Sequence, residues 1–213
     1  VYSSTAAVYG DDQDGLVNED AATRPANPYG RSKLAAEWLL RDAAAAGDLK
    51  LAVLRYFNVA GADPAGRSGQ VSATGTSLIK RVARAVAGKD EKMTIFGDDY
   101  DTPDGTCVRD YIHVGDLANV HVAALRYLEK GDGFIANCGY GQGYSVRQVI
   151  DTAATVTGRP LKVEHGPRRE GDIATMIADV GRLKKLLSWR PRYDNLEDII
   201  RSAVDWEQSG RAL

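Results

Sequence analysis

Apolar residues recur along this chain in two distinct periods. Leu51-Ala52-Val53-Leu54-Arg55-Tyr56 is nearly continuous and of strand length, which predicts a buried strand. Ahead of it, the sequence predicts a helix from Pro28 to about Gly47. Asn27 supplies the capping side chain, Pro28 suits the first turn, and Leu34, Trp38 and Leu39 form an apolar stripe. Val1-Tyr2-Ser3-Ser4 reads as a further strand. Strand, helix and strand in this order predict a parallel βαβ unit.

The alternation continues. Residues 59–75, rich in Gly, Ala, Ser and Asp, read as a loop, and Leu78, Ile79, Val82 and Val86 mark an amphipathic helix stopping at Gly88. Tyr100 to Gly105 is turn-like. A helix is predicted from Asp116 to about Glu129, then a short strand over Phe134–Cys138. Ser145-Val146-Arg147-Gln148 has the form of a capping box and opens a helix ending at Gly158. Leu161 to Glu164 reads as a strand, with two more helices around Val180–Leu187 and Asn195–Gln208. The pattern is α/β, without repeats or an evident linker.

Composition narrows the classes. The 213 residues suffice for one large domain or two small ones, and 44% hydrophobic with 26% charged residues is ordinary for a folded soluble chain. A net charge of −2 gives no electrostatic reason to expect a nucleic acid or an anionic membrane as partner. No apolar run approaches a transmembrane length, and no signal-peptide pattern opens the chain. Cys107 and Cys138 have neither metal-ligand spacing nor a disulfide framework, so a reducing cytoplasm is the expected compartment. The chain opens directly on a strand without a methionine, and nothing in it resembles the Gly-rich turn that cradles a dinucleotide pyrophosphate. The expectation is a sequence cut within a larger domain.

The candidate chemistry is a Tyr-x-x-x-Lys pair, Tyr29 and Lys33. A helix puts residues i and i+4 on one face, and a cation beside a phenol favours the phenolate, a base usable near neutral pH. Thr5 falls at the end of the first strand and Tyr56-Phe57-Asn58 at the end of the next. Ligands of parallel α/β sheets bind at those edges.

Longer runs carry a resemblance. They are Ser3-Ser4-Thr5-Ala6-Ala7-Val8-Tyr9-Gly10, Pro28-Tyr29-Gly30-Arg31-Ser32-Lys33 and Leu54-Arg55-Tyr56-Phe57-Asn58-Val59-Ala60-Gly61. Ile95-Phe96-Gly97, the run from Asp104 to Val114, and Pro167-Arg168-Arg169-Glu170-Gly171-Asp172 complete the set. Over essentially its whole length the chain resembles the extended short-chain dehydrogenase/reductases, the UDP-glucose 4-epimerase family in particular. The resemblance implies the back portion of an NAD-binding Rossmann-type parallel sheet plus a smaller α/β substrate-binding domain. Residues 1–58 would belong to the first and 59–213 mainly to the second, with about 112–138 returning to the first. It further implies reversible, NAD-dependent epimerisation at C4 of a UDP-hexose through a 4-keto intermediate, in a homodimer.

By resemblance, Tyr29 is the general base, Lys33 lowers its pKa and binds the nicotinamide ribose, and Thr5 relays the proton or holds the 4-oxygen. Ser3, Tyr56 and Phe57 match positions near the nicotinamide. Arg109 and Arg169 match the diphosphate anchors, Asn58 a substrate contact, Phe96 the uracil wall, Leu78 a backbone contact to the nucleotide and Asp172 the ribose acid. Arginine's planar fork suits a pyrophosphate. Met176 stands where relatives place Tyr or a smaller residue at the sugar pocket, and Ser77 where some carry Asn. Neither the NAD-binding turn nor, by expectation, NAD retention belongs to the chain as it stands.

Alternatives stay open. A UDP-pentose or UDP-N-acetylhexosamine epimerase is compatible, as is an inactive nucleotide-sugar-binding fragment. A sugar 4,6-dehydratase is disfavoured, because Ala6 and Ala7 follow Thr5 where that chemistry needs carboxylic acids. Arg109 and Asp110 could be a structural ion pair, Arg168-Arg169-Glu170 a solvated turn, and Phe57 and Phe96 core. His113, His121 and His165 lack metal-site spacing and read as structural or surface residues. The two cysteines read as small buried hydrophobes.

Overall fold

A single residue, Phe57, separates two parallel sheets in this computed structural model, which describes residues 1–11, 13–72 and 74–211. The chain runs through β1 (Tyr2–Thr5), a 3₁₀ turn (Ala6–Val8), β2 (Gly15–Val17), α1 (Pro28–Ala46), β3 (Ala52–Tyr56) and β4 (Asn58–Ala60). It continues with α2 (Leu78–Val86), β5 (Met93–Phe96), β6 (Val108–His113), α3 (Val114–Leu128), β7 (Phe134–Cys138) and β8 (Gly143–Ser145). The last elements are α4 (Val146–Thr157), β9 (Val163–Gly166), β10 (Thr175–Ala178), α5 (Gly181–Leu186) and α6 (Leu196–Gln208). The first sheet has the parallel order β1-β3-β7, and the second β2-β10-β6-β4 with β8 antiparallel on β6. β5 and β9 form a small parallel pair. The architecture is the α/β one that the alternation predicts, and β1-α1-β3 is the expected parallel unit.

Side-chain alternation explains how the first sheet is covered. Ala52 and Leu54 point toward α3 and α5, packing with Leu117, Val120 and Leu183. Arg55 points the other way, toward α1, where its guanidinium grips Glu37 through Nε to Oε1 at 3.0 Å and NH2 to Oε2 at 2.7 Å. Ser4, opposite Arg55 in the register, also donates to Glu37. The pair is 4% and 1% exposed, so both charges are out of water and each depends on the other. Around the second sheet, α2, α4 and α6 bury Ile79, Val82, Val149, Ile199 and Ile200 in a separate core. Among the described residues, no helix is long and apolar enough to cross a membrane.

Most boundaries lie within two residues of the sequence reading. α3 begins at Val114, not Asp116, because His113 caps it: Nδ1 accepts the Gly115 N–H at 3.0 Å. Asp116 is buried instead, accepting from the Tyr140 hydroxyl and from the backbone of Arg192 and Tyr193. Burial also holds the His113 imidazole below its ordinary pKa. The loop expected over 59–75 starts with two strand residues, since Asn58–Ala60 pairs with Tyr111–His113; Ala73 of that loop lies outside the described residues. The strand placed at Leu161–Glu164 is observed at Val163–Gly166, its register set by β5. β2, β8 and β10 are only three or four residues long and carry no legible period.

Arg55→Met strands the Glu37 carboxylate in an apolar layer and is expected to cost about 3–5 kcal/mol in urea unfolding. Adding Glu37→Gln should recover part of that loss; strictly additive losses would contradict a coupled pair.

Candidate functional site

The carboxyl ends of β1 and β3 and the amino ends of β4 and β6 converge on two adjoining cavities. One, of about 300 Å³, is lined by Thr5, Ala6, Asn27, Phe57 and Met176, among others. The second, of about 210 Å³, is lined by Ser77, Leu78, Phe96, Cys107 and Arg169, among others. Asn58, Arg109 and Asp172 line both. An elongated ligand could therefore lie across these three residues with one end in each hollow.

The fold positions each wall for a reason. Asn58 leads β4, immediately after Phe57 has crossed between the sheets with its N–H on the Cys138 carbonyl at 3.0 Å. Arg109 sits on β6, where strand alternation sends it to the cavity and Asp110 to the interior. The proposed Arg109–Asp110 ion pair is therefore not formed. Asp110 is fully buried and accepts from the N–H groups of Tyr140, Gly141 and Ala178. Arg109 instead donates to the Val108 carbonyl at 2.8 Å and lies 3.9 Å from Asp172. That is a long ion pair, compatible with a guanidinium that turns toward a ligand anion.

Arg168 and Arg169 part company. Arg168 stacks on the Tyr100 ring and donates to Asp99 at 2.7 Å, while Arg169 lies 3.9 Å from the Phe96 ring centroid inside the second cavity. Phe96 is thus half-buried under a cation, whereas Phe57 is core, packed with Tyr9 and Met176. Ser77 occupies the N-cap position of α2 without a capping side-chain bond, and Leu78 opens the helix. Cys107 shares the cavity wall; Cys138 is fully buried.

Tyr29 and Lys33 stand at the rim and line neither cavity. Tyr29 is 56% exposed, two residues beyond cavity-lining Asn27. Lys33 donates to the Ser3 carbonyl at 3.0 Å, with Nζ 5.9 Å from the Tyr29 ring centroid and 5.4 Å from that of Tyr2. Thr5 accepts from the Ala7 N–H at 3.2 Å, turning the chain out of β1. Ser3 and Tyr56 are joined at 2.5 Å between their hydroxyls, and burial pushes the Tyr56 phenol up from its ordinary pKa. One group escaped the sequence reading, and another was read there only as structural or surface. Arg81, one helical turn beyond Leu78, adds a third guanidinium to the second cavity; its i+3 spacing was the available signal. His121 reaches back from α3 to Tyr56, a contact with no local signature.

Comparison with known proteins follows this geometry. The model of the NAD dependent epimerase/dehydratase family matches residues 1–139. The chain belongs to that family. UDP-glucose 4-epimerase of Azospirillum brasilense is 52% identical over 210 residues, covering 98% of this chain and 60% of its own length. The crystal structure of UDP-glucose-4-epimerase from Stenotrophomonas maltophila, with bound NAD and formylated UDP-arabinopyranose, superposes with a TM-score of 0.93 at 41% identity, covering 98% of this chain and 62% of that one. The UDP-Glc/GlcNAc 4-epimerase from Campylobacter jejuni gives 0.82 at 50% identity, covering 97% and 63%. The α/β architecture with parallel sheets is that of these NAD-binding epimerases. The chain spans about 60% of the length of the relatives it matches.

Gly30 ties the rim to the cavity. A Cβ there would stand 2.4 Å from the Ala7 carbonyl oxygen, a backbone atom that cannot step aside. Gly30→Ala should push the start of α1 off the 3₁₀ turn and cost about 1–3 kcal/mol. Thermal unfolding reads this, and an unchanged midpoint would contradict the close approach.

Proposed function

We propose that this chain forms the catalytic and nucleotide-sugar-binding portion of an NAD-dependent 4-epimerase acting on UDP-glucose and UDP-galactose. The observation that carries the reading is the pair of cavities sharing Asn58, Arg109 and Asp172, with Thr5 beside one and Arg169 on Phe96 in the other. The family, the 52% identical relative and the structures with UDP-sugars support it. Residues 1–58, with the return of 112–138, are assigned to the cofactor-binding domain and the remainder of 59–213 to the sugar-nucleotide domain. The first sheet supports that reading, since β1, β3 and β7 come from these two segments, although β2 pairs with β10 in the second sheet.

The donor set at the first sheet's edge fits NAD: the Ser3, Tyr29 and Tyr56 hydroxyls and the Lys33 ammonium offer hydrogen bonds to a ribose and a carboxamide, and Phe57 offers apolar surface. When bound, NAD supplies the acceptor that takes a hydride from C4 and returns it within the cycle. Tyr29 accepts the 4-hydroxyl proton and later gives it back, with the Lys33 ammonium on the same helix face beside its ring. Thr5 holds the 4-oxygen. The 4-keto sugar turns over in the cavity beside Met176 while Arg109, Arg169 and Asp172 keep the nucleotide anchored; Phe96 flanks the uracil, Asn58 contacts the diphosphate side, and Ser77 and Leu78 present the end of α2. Met176 is unbranched and adaptable, so N-acetylated and pentose sugars are the substrates to compare next. The setting is assigned as cytoplasmic and the assembly as a homodimer.

In the full-length polypeptide, Tyr29→Phe should reduce UDP-glucose/UDP-galactose interconversion by at least about 10²-fold, the scale of general acid–base catalysis, with unfolding unchanged. Near-normal turnover would sink the proton-transfer role.

A further inference from the structure

His121 projects from α3 toward the end of β3 and touches neither cavity, yet its two ring nitrogens are both engaged. Nδ1 lies 2.8 Å from the Leu117 carbonyl oxygen, one helical turn back. A carbonyl can only accept, so Nδ1 carries the proton, and in a neutral ring Nε2 must then be the acceptor. The group facing Nε2 is the Tyr56 hydroxyl, with Ser3 Oγ farther away at 3.4 Å. The two rings meet edge to face, with centroids 5.5 Å apart. Tyr56 has one proton. If it goes to His121, the 2.5 Å contact between Tyr56 and Ser3 must be made by the Ser3 proton.

We propose that His121 is a positioning residue of this site, held by Leu117 as the Nδ1–H tautomer so that protons run in one order, Ser3 to Tyr56 to His121. The inference rests on the reading of Ser3 and Tyr56 as cofactor-side groups. With that order fixed, both hydroxyl protons are consumed inside the trio. The oxygens of Ser3 and Tyr56 keep only lone pairs for whatever binds at these strand ends. Such a face accepts hydrogen bonds and donates none, which selects an N–H donor, such as a primary carboxamide, over a carbonyl turned the opposite way. Lys33, donating to the carbonyl of the same Ser3, holds the strand end from the other side.

Nitrogen-15 NMR of the histidine rings, at a pH where they are neutral, reads the tautomer without cofactor. The expected result is His121 protonated on Nδ1, with an Nε2 signal that shifts in Tyr56→Phe; an Nε2–H tautomer overturns the proposal. In the full-length polypeptide, His121→Gln keeps an acceptor near Nε2 and His121→Phe removes it. NAD affinity measured calorimetrically should stay near wild type in the first and fall about 3- to 10-fold in the second, the worth of one neutral hydrogen bond. Equal weakening in both variants, or none in His121→Phe, also overturns it. Wild-type protein that binds no NAD would contradict the proposed function, while the tautomer would still decide the proton order.

Discussion

The buried pair of Arg55 and Glu37 sets the frame on which everything else stands. Its members come from the central strand of the first sheet and from the helix that carries Tyr29 and Lys33, and neither charge reaches water. The rest of the guanidinium donates to the Tyr9 hydroxyl at 3.1 Å and to the Glu19 carbonyl. Tyr9 in turn donates to Asn137 at 2.6 Å, and Asn137 donates to the Glu19 carboxylate and to the Val17 carbonyl of the second sheet. One continuous polar network thus spans β1, α1, β3, β7 and β2. A buried ion pair adds little net stability over an apolar substitute, but a misplaced partner is costly. A one-residue slip of β3 would send Arg55 into the apolar layer against α3.

That fixed register carries the geometry outward. With Arg55 pinned, Tyr56 faces α3 and His121, Phe57 closes the core, and Asn58 enters the second sheet as a cavity wall. On β6 the same alternation turns Asp110 inward, where three N–H groups neutralise the cost of burying it, and leaves Arg109 at the junction of the two cavities. An anion bound at Arg109, Arg169 and Arg81 would therefore lie a defined distance from Thr5. Under the proposed function, a sugar that turns over to offer both its faces to one proton carrier needs that fixed anchor more than it needs a tight pocket.

Much of this was legible in the sequence, for identifiable reasons. The long helices declare themselves through caps, such as Asn27 and the Ser145–Gln148 box, which the structure reproduces atom by atom. Of the strands that failed to show, β2, β4, β5, β8 and β10 have only three or four residues, too few for a period to develop, and β6 interrupts its apolar positions with Arg109, Asp110 and His113, so it shows neither alternation nor a continuous apolar run. Among site residues, all nine assigned to the nucleotide sugar line one or both cavities. Tyr29 and Lys33 stand together as the i, i+4 spacing requires, but at the rim. His121 was read as structural or surface because its partner is 65 positions away, and such a contact leaves no trace in local spacing. The Arg109–Asp110 alternative failed on elementary alternation: adjacent strand residues face opposite sides.

The central claim is that one nucleotide sugar spans both cavities, anchored at one end and reacting at the other. A crystal structure of the full-length polypeptide with NAD and a UDP-sugar tests it most directly. The account predicts the uracil beside Phe96, the diphosphate between Arg109 and Arg169, and the sugar C4 oxygen within hydrogen-bond reach of both Thr5 and Tyr29. A nucleotide bound away from Arg109, or a sugar directed away from Thr5, would contradict it.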